Sequence, residues 1–123
     1  MSLQQVPASH AYRRLVAAAA ANGTVISPLA TMVFSDRDTP YQPETDTTAT
    51  ATAGEIARVA ITRTVNGTAV LAVGVLQGAV TAGRTVRSVA VLTGNGVLVG
   101  RRVIAPKELE PEAQIEVEIA FEY

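Results

Sequence analysis

Few side chains in this sequence belong to the types that do covalent chemistry or hold metals. Cysteine is absent and His10 is the only histidine, which excludes thiol nucleophiles, zinc–thiolate sites and histidine-based metal centres. A serine nucleophile needs a base, and His10 stands at the start of a predicted helix near the N-terminus. The glutamates near the C-terminus lie on the outward face of one predicted strand, where the burial that acid–base pairs need is missing. We therefore predict that the protein is not an enzyme.

Two other patterns are too weak to assign a ligand. The glycines Gly94, Gly96 and Gly100 read G-x-G-x-x-x-G. This spacing misses the dinucleotide fingerprint by one residue and lies in a predicted hairpin rather than at a helix start. The acidic loop after Ser35 lacks the glycine and the terminal glutamate of a calcium-binding EF-hand loop. We expect turn glycines and a solvated loop, with no cofactor and no metal.

The charges are segregated along the chain, although the net charge is only −1. Every charged residue in 59–104 is an arginine, whereas 107–123 carries six glutamates against one lysine. Either neighbouring strands pair these charges within one sheet, worth about 0.2–1 kcal/mol a pair, or a basic face on one subunit meets an acidic face on another. The candidate interaction residues are Arg84, Arg87, Arg101, Arg102, Glu112, Glu116, Glu118 and Glu122.

Two classes of partner are not expected. The arginines have no lysine clusters or interleaved aromatic residues beside them, so they make a poor phosphate-binding stripe for nucleic acid. The apolar run after Arg14 is too short to span a bilayer, and the N-terminus lacks the apolar core of a secretion signal. We expect a protein made in the cytoplasm, without nucleic-acid or membrane partners.

Local signals predict one helix near the N-terminus, followed by a strand and a loop. A typical serine N-cap and a typical glycine stop bound a helix expected at about 9–21. A strand interrupted by a proline is expected at 24–34, and an exposed irregular loop at 35–52. Residues 1–8 are expected to be a flexible N-terminus.

The second half of the chain predicts β-hairpins. Asn66-Gly67, between the β-rich runs 56–65 and 68–76, is a strong hairpin signal. A second hairpin with a glycine-containing turn is expected within 85–104. The segment 115–121 alternates as a half-buried strand with its glutamates outward.

Length and composition bound the fold. A chain of 123 residues with 48% apolar residues fills one core, so we predict a single domain over 1–123. No helices separate the predicted strands, which favours antiparallel pairing. The predicted fold is mainly β, of the α+β class, with the N-terminal helix packed on an antiparallel β-sheet or on a sandwich built from hairpins.

Three segments, in this order, resemble the N-terminal domain of phage tail-collar fibre and related baseplate-attachment proteins. The opening helix and first strand of that family are similar to AYRRLVAAAAANGTVISPLATMVFSD, its hairpin to RSVAVLTGNGVLVGRR, and its closing strand to ELEPEAQIEVEIAFEY. The family's variable strands and hairpin correspond in position to ETDTTATATAGEIARVAITRTVNGTAVLAVGVL. The resemblance covers about 10–123.

The resemblance implies a structural role in the tail of a phage or prophage virion. The family docks a fibre to the baseplate, which implies self-association, with a homotrimer favoured, and contacts with other tail or baseplate proteins. The residues alone leave one alternative, a small β-sandwich binding module that recognises a peptide or a glycan. The low aromatic content argues against a glycan, and exposed edge strands would favour a peptide.

Overall fold

Two four-stranded β-sheets are formed by the part of the chain that the computed structural model describes, residues 5–122 without the side chains of Gln5, Asn66 and Glu122. The strands are β1 (Gln5–Pro7), β2 (Leu29–Ser35), β3 (Glu55–Ala60), β4 (Thr62–Asn66), β5 (Ala69–Gln77), β6 (Val86–Thr93), β7 (Leu98–Lys107) and β8 (Gln114–Glu122). The helices are α1 (His10–Asn22) and α2 (Thr48–Thr52), with a 3-10 turn at Gly78–Val80. Sheet A has the order β1-β8-β5-β4 and sheet B the order β3-β2-β6-β7. The protein is mainly β, as predicted.

The two sheets pack face to face. A Cβ placed on Gly74 of β5 would lie 2.6 Å from the Met32 sulfur of β2. One placed on Gly100 of β7 would lie 2.5 Å from Cε1 of Phe121 in β8. Glycine at these two positions therefore lets β5 lie over β2 and β8 over β7. The largest side chains buried between the sheets are Met32, Phe34, Leu76, Ile119 and Phe121.

All neighbouring strands pair antiparallel except β1 and β8, which run parallel. The predicted flexible N-terminus is therefore wrong for residues 5–8, and residues 1–4 lie outside the described part of the chain. Val6 and Ala8 are buried, and the Ser9 N–H donates to the Val99 carbonyl at 2.8 Å. The sequence did not predict β1 because three residues are too few to show alternation and because its partner strand, β8, is distant in sequence.

The predicted first hairpin is only half right. A two-residue turn at Gly67-Thr68 joins β4 to β5, one residue later than the predicted Asn66-Gly67, and Gly67 has a positive φ of 63°. The run 56–65, however, divides at Ile61, where the chain crosses from sheet B to sheet A. The residues around Ile61 include no glycine or proline, so no local sequence signal predicts that the chain leaves one sheet for the other here. The division into β3 and β4 follows from the packing of the two sheets.

The second hairpin and the closing strand are confirmed. β6 and β7 turn through Gly94-Asn95-Gly96, and Gly96 has a φ of 83°. β8 alternates as predicted between inward and outward residues. Its buried inward residues are Val117, Ile119 and Phe121.

Helix α1 is confirmed together with both of its caps. Ser9 Oγ accepts a hydrogen bond from the Tyr12 N–H at 3.1 Å, and Gly23 ends the helix with a φ of 71°. The Ser9 hydroxyl also donates to the Leu98 carbonyl at 2.5 Å, which fastens the helix start to β7. Tyr12 is buried in the core, whereas the residues after it are half-buried or exposed. The second half of α1 therefore lies on the surface.

The segment 35–52 is more ordered than the predicted exposed loop. It contains α2, in which Ala51 is buried. The Thr48 hydroxyl donates to the Gly96 carbonyl at 2.6 Å, which ties α2 to the β6–β7 turn. The segment has no large aliphatic residue, so its sequence is typical of a loop. Alanine is nevertheless small enough to let a helix lie close to a flat sheet. The sheet B residues that pack with Ala51 are Val33, Ala90, Leu92 and Leu98.

Candidate interaction surface

The outer faces of the two sheets differ in what covers them. The outer face of sheet B lies under α2 and the segment 39–46, and we call it the covered face. The outer face of sheet A is not covered by α2, nor by α1, which lies beside β7; we call it the open face. Its outward side chains include Thr62 and Thr64 of β4, Leu71, Val73, Val75 and Gln77 of β5, and Gln114, Glu116 and Glu118 of β8, together with the buried Ala69 and Ala120.

The open face places an apolar strip beside a row of carboxylates. In the strand register, Val75 lies opposite Glu116 and Val73 opposite Glu118. Val75 is 37% exposed, and both glutamates are exposed. Neither glutamate forms an ion pair with another residue in 5–122. An apolar centre with a charged border is the usual make-up of a protein–protein interface.

Arg101 does not belong to any exposed surface. Its side chain is 2% exposed on the covered face, where Nε and Nη2 donate to Asp46 Oδ2 at 3.3 and 3.2 Å. Nη2 also donates to the Thr39 carbonyl at 2.6 Å. The prediction that Arg101 contacts a partner is therefore corrected: this side chain fixes the segment 39–46 on its own sheet.

Arg84 is also engaged within the chain. Its Nη2 donates to Asp36 Oδ2 at 2.6 Å and to the Gly54 carbonyl at 3.3 Å, and its Nη1 donates to the Glu55 carbonyl at 3.2 Å. The hydrogen bond from Arg84, more than its charge, holds the pKa of Asp36 below its ordinary value. Arg84 reaches solvent, but its charge is already balanced by Asp36.

Arg87 and Arg102 are half-buried on β6 and β7. Arg87 forms no ion pair among the described residues. Arg102 Nη1 lies 3.5 Å from the Glu118 main-chain oxygen, so its contact with the acidic strand is long and does not involve the carboxylate. Neither arginine forms an ion pair with a carboxylate whose side chain the structure describes.

No ion pair joins the candidate arginines to Glu112, Glu116 or Glu118. Glu112 is exposed before β8, and the side chain of Glu122 lies outside the described residues. The neighbours of β8 in its sheet are β1 and β5, and neither carries a charged residue. Pairing between neighbouring strands is therefore not how these charges are used in the described part of the chain. The ion pairs found there are Arg58–Glu55, Arg84–Asp36 and Arg101–Asp46.

The covered face also depends on an aromatic side chain that was not among the candidate interaction residues. Tyr41 Oη donates to the Pro7 carbonyl at 2.7 Å, which joins the segment 39–46 to β1. Burial, with the Asp46 carboxylate nearby, raises the pKa of Tyr41 to about 12. The sequence signal for this contact was an aromatic ring within a polar, proline-containing segment. Such a ring tends to be buried, so it indicates that the segment packs on the rest of the fold.

Other kinds of site find little support in residues 5–122. No group of three or more side chains of metal-ligating type lies together there. A depression of about 390 Å³ lies between the 3-10 turn and the connection 108–111, and its charged lining residues are Glu108 and Glu110. Neither described helix has the length and apolar character that crossing a membrane requires.

Comparisons with protein-family models, with curated proteins and with solved structures found no match for this chain. The resemblance to the tail-collar fibre domain therefore stays a prediction from the sequence.

Proposed function

We propose that this protein is a structural component of a phage or prophage tail, acting as an attachment or adaptor protein at a fibre or baseplate. It works by self-association, with a homotrimer favoured, and by contacts with other tail or baseplate proteins. It is made in the bacterial cytoplasm, incorporated into the virion tail and has no enzymatic step of its own.

The open face of sheet A is the observation that carries this proposal. Val73 and Val75 remain accessible there, beside two glutamates that have no counter-charge within residues 5–122. A partner that brings apolar and basic groups would bury the valines and neutralise the glutamates together. On the covered face, the chain's own α2 packs on the apolar residues and Asp46 pairs with Arg101, which supports the view that the open face serves a second molecule.

Native mass tests the proposal directly. We would measure it by light scattering on a sizing column at about 0.05 M and about 0.5 M salt, because the higher concentration screens exposed charge pairs. We expect a trimer at low salt that dissociates at high salt, and co-purification with the proteins encoded beside it. A monomer at both concentrations that retains none of those proteins would contradict a structural tail role.

The edge strand β4 favours a second candidate, a module that binds a peptide by strand addition. This five-residue strand ends sheet A, and Val65 on it is 76% exposed. The two-residue turn at Gly67-Thr68 makes Asn66 and Ala69 a hydrogen-bonded pair, so alternation directs the Val65 N–H to the free edge. A peptide could therefore pair with this edge.

The substitution V65P separates the two functions. Proline removes the free N–H without removing a bond of the β4–β5 ladder, so strand addition should fail while the open face stays intact. In a peptide-binding module, V65P would abolish binding of extended peptides in a fluorescence screen. In the tail protein that we propose, V65P would leave the native mass unchanged.

A further inference from the structure

We propose that helix α1 of one copy docks on the open face of sheet A of a second copy, with Arg13 and Arg14 against Glu116 and Glu118. This inference rests on the self-association in the proposed function and names the two surfaces that meet. The surfaces are different patches of the same chain, so the contact is head-to-tail and forms a closed ring when the rotation between neighbours allows it.

The helix offers a surface with a basic end and an apolar remainder. Arg13 and Arg14 are exposed and form no ion pair among residues 5–122. Val16 is 37% exposed, and Ala17 and Ala20 are exposed as well. Residues three or four apart lie on the same side of a helix, so Arg13, Ala17 and Ala20 follow one stripe. Two cations near a helix N-terminus are unfavourable in isolation, and a partner's carboxylates would relieve that.

The sheet offers the complementary surface. Its carboxylates lie on β8, the half-buried Val73 and the exposed Val75 lie on β5, and the threonines of β4 follow at the edge. Crossing from β8 to β4 therefore leads from acidic to apolar to small polar side chains. Along α1, the order from Arg13 to Ala20 is basic and then apolar and small. The two orders match when the helix crosses the strands with its N-terminal end over β8.

The dimensions of the two surfaces agree. Arg13 and Ala20 are separated by about 10.5 Å along a helix that rises about 1.5 Å per residue. Two strand spacings, from β8 to β4, span about 9.6 Å. With the arginines over β8, Ala17 lies over β5 and Ala20 over β4. Glu116 and Glu118 are about 6.8 Å apart along their strand, so each guanidinium can have a carboxylate of its own.

The same molecule already contains a small-residue helix on a flat sheet. In α2, Ala51 is the buried residue, and it packs on Val33 and on the neighbouring apolar residues of sheet B. Alanine brings a helix close enough to contact such a face with little side-chain entropy to lose. The exposed side of α1 has the same alanine character and lies over no sheet of its own chain.

The α1 of the same chain does not occupy this site. At its N-cap residue Ser9, the main-chain N–H donates to the Val99 carbonyl and the hydroxyl donates to the Leu98 carbonyl, both on β7 at an edge of sheet B. The open face belongs to sheet A and points away from sheet B. With its start fixed in this way, α1 reaches an open face only in another copy.

Two charge reversals and their mixture test the contact. R13E/R14E and E116K/E118K should each place like charges together and weaken self-association at least about a hundredfold. In an equimolar mixture the unaltered helix of one variant fits the unaltered face of the other, and the acidic helix fits the lysine face, so complexes of at least one chain of each variant should form. A ring of three cannot alternate and keeps one repulsive contact, so the mixture should associate more weakly than the wild type. The single chain R13E/R14E/E116K/E118K should assemble by itself. Light scattering at about 0.05 M salt measures all four, with circular dichroism and thermal melting to verify folding.

Matched controls carry the same charge changes outside both surfaces. R37E/K107E matches the arginine variant and E44K/E110K matches the glutamate variant, because all four residues are exposed, lie off the open face and off α1, and are not among the candidate interaction residues. Both controls should keep the wild-type mass. If R13E/R14E and E116K/E118K keep the native mass of a wild-type oligomer, or if their mixture stays monomeric, this inference is wrong. The proposed tail role is not affected by either result. A wild-type monomer that still binds other tail proteins also overturns it, whereas one that binds none overturns the proposed function.

Discussion

The covered face and the open face of this sandwich handle charge in opposite ways. On the covered face, Arg101 and Asp46 are buried together, and the arginine also binds the Thr39 carbonyl. On the open face, Glu116 and Glu118 are solvated and have no ion pair within residues 5–122. A buried charge requires its partner within the fold, whereas a solvated charge is free to meet another molecule. Burial therefore separates the charges that serve folding from those that can serve assembly.

This comparison explains why segregation along the sequence did not predict segregation in space. Arg101 and Arg102 are adjacent in β7, yet strand alternation sends the first under the segment 39–46 and the second toward the edge of β8. Adjacent charges in a strand therefore belong to different faces. A block of like charges in a β-protein should be divided by alternation before it is assigned to an interface.

The largest expected effect comes from breaking the buried pair. R101M leaves Asp46 buried without its counter-charge, and we expect the free energy of unfolding to fall by about 3–5 kcal/mol. R102M, on the next residue and without an ion pair in 5–122, should change it by no more than about 0.5 kcal/mol. Urea denaturation measures both.

The double variant D46L/R101M is the internal check on that result. It removes both charges, so it should be more stable than R101M. An R101M protein that loses less than about 1 kcal/mol would show that the ion pair does not hold the covered face, because such a loss is within the range of an ordinary hydrogen bond.

The next effect concerns how tightly each face is packed. A51L adds volume between α2 and sheet B, where Ala51 is 1% exposed, and should cost about 1–3 kcal/mol of unfolding free energy. V75L adds volume on the open face and should stay within about 0.5 kcal/mol. Thermal or urea unfolding of the monomeric form compares them. Equal losses would mean that the open face is packed as closely as the covered one.

A smaller effect is expected from single hydroxyl groups. The Thr48 hydroxyl donates to the Gly96 carbonyl at 2.6 Å, and T48V removes that bond at a cost of about 1 kcal/mol. T64V makes the same chemical change at an exposed position of β4 and should be close to neutral. Hydrogen exchange of the α2 amides should rise in T48V alone, and faster exchange in T64V as well would argue against a local tie.

The sequence analysis predicted the elements that have local signals and missed those held by distant partners. The α1 caps, the turn glycines and the alternation of β8 all lie within a few residues, and the predictions from them are confirmed except that the first hairpin turns one residue later than expected. β1, α2 and the crossing at Ile61 depend on surfaces that exist only after the sheets have packed. For the candidate site, Glu116 and Glu118 were found by their alternation. The burial of Arg101 was not predictable, because Asp46 is distant in sequence and sits among other polar residues.

The smallest expected effect is a pH dependence of folding stability that comes from the exposed Asp36–Arg84 pair. The Arg84 hydrogen bond lowers the pKa of Asp36 from its ordinary value of 3.8, so the folded state favours the ionised carboxylate. This contribution to stability is present above that ordinary value and is lost as the pH falls below it through the folded-state pKa. D36N should therefore flatten part of the acid limb of a stability-against-pH curve, and the difference from wild type should shrink in high salt because the pair is exposed to solvent.

E116Q is the matched control, since it removes a carboxylate that has no ion pair within residues 5–122. If D36N and E116Q gave superimposable curves with the wild type, the Arg84 contact would contribute nothing to folding, and Arg84 would join Arg87 and Arg102 among the cations open to a partner.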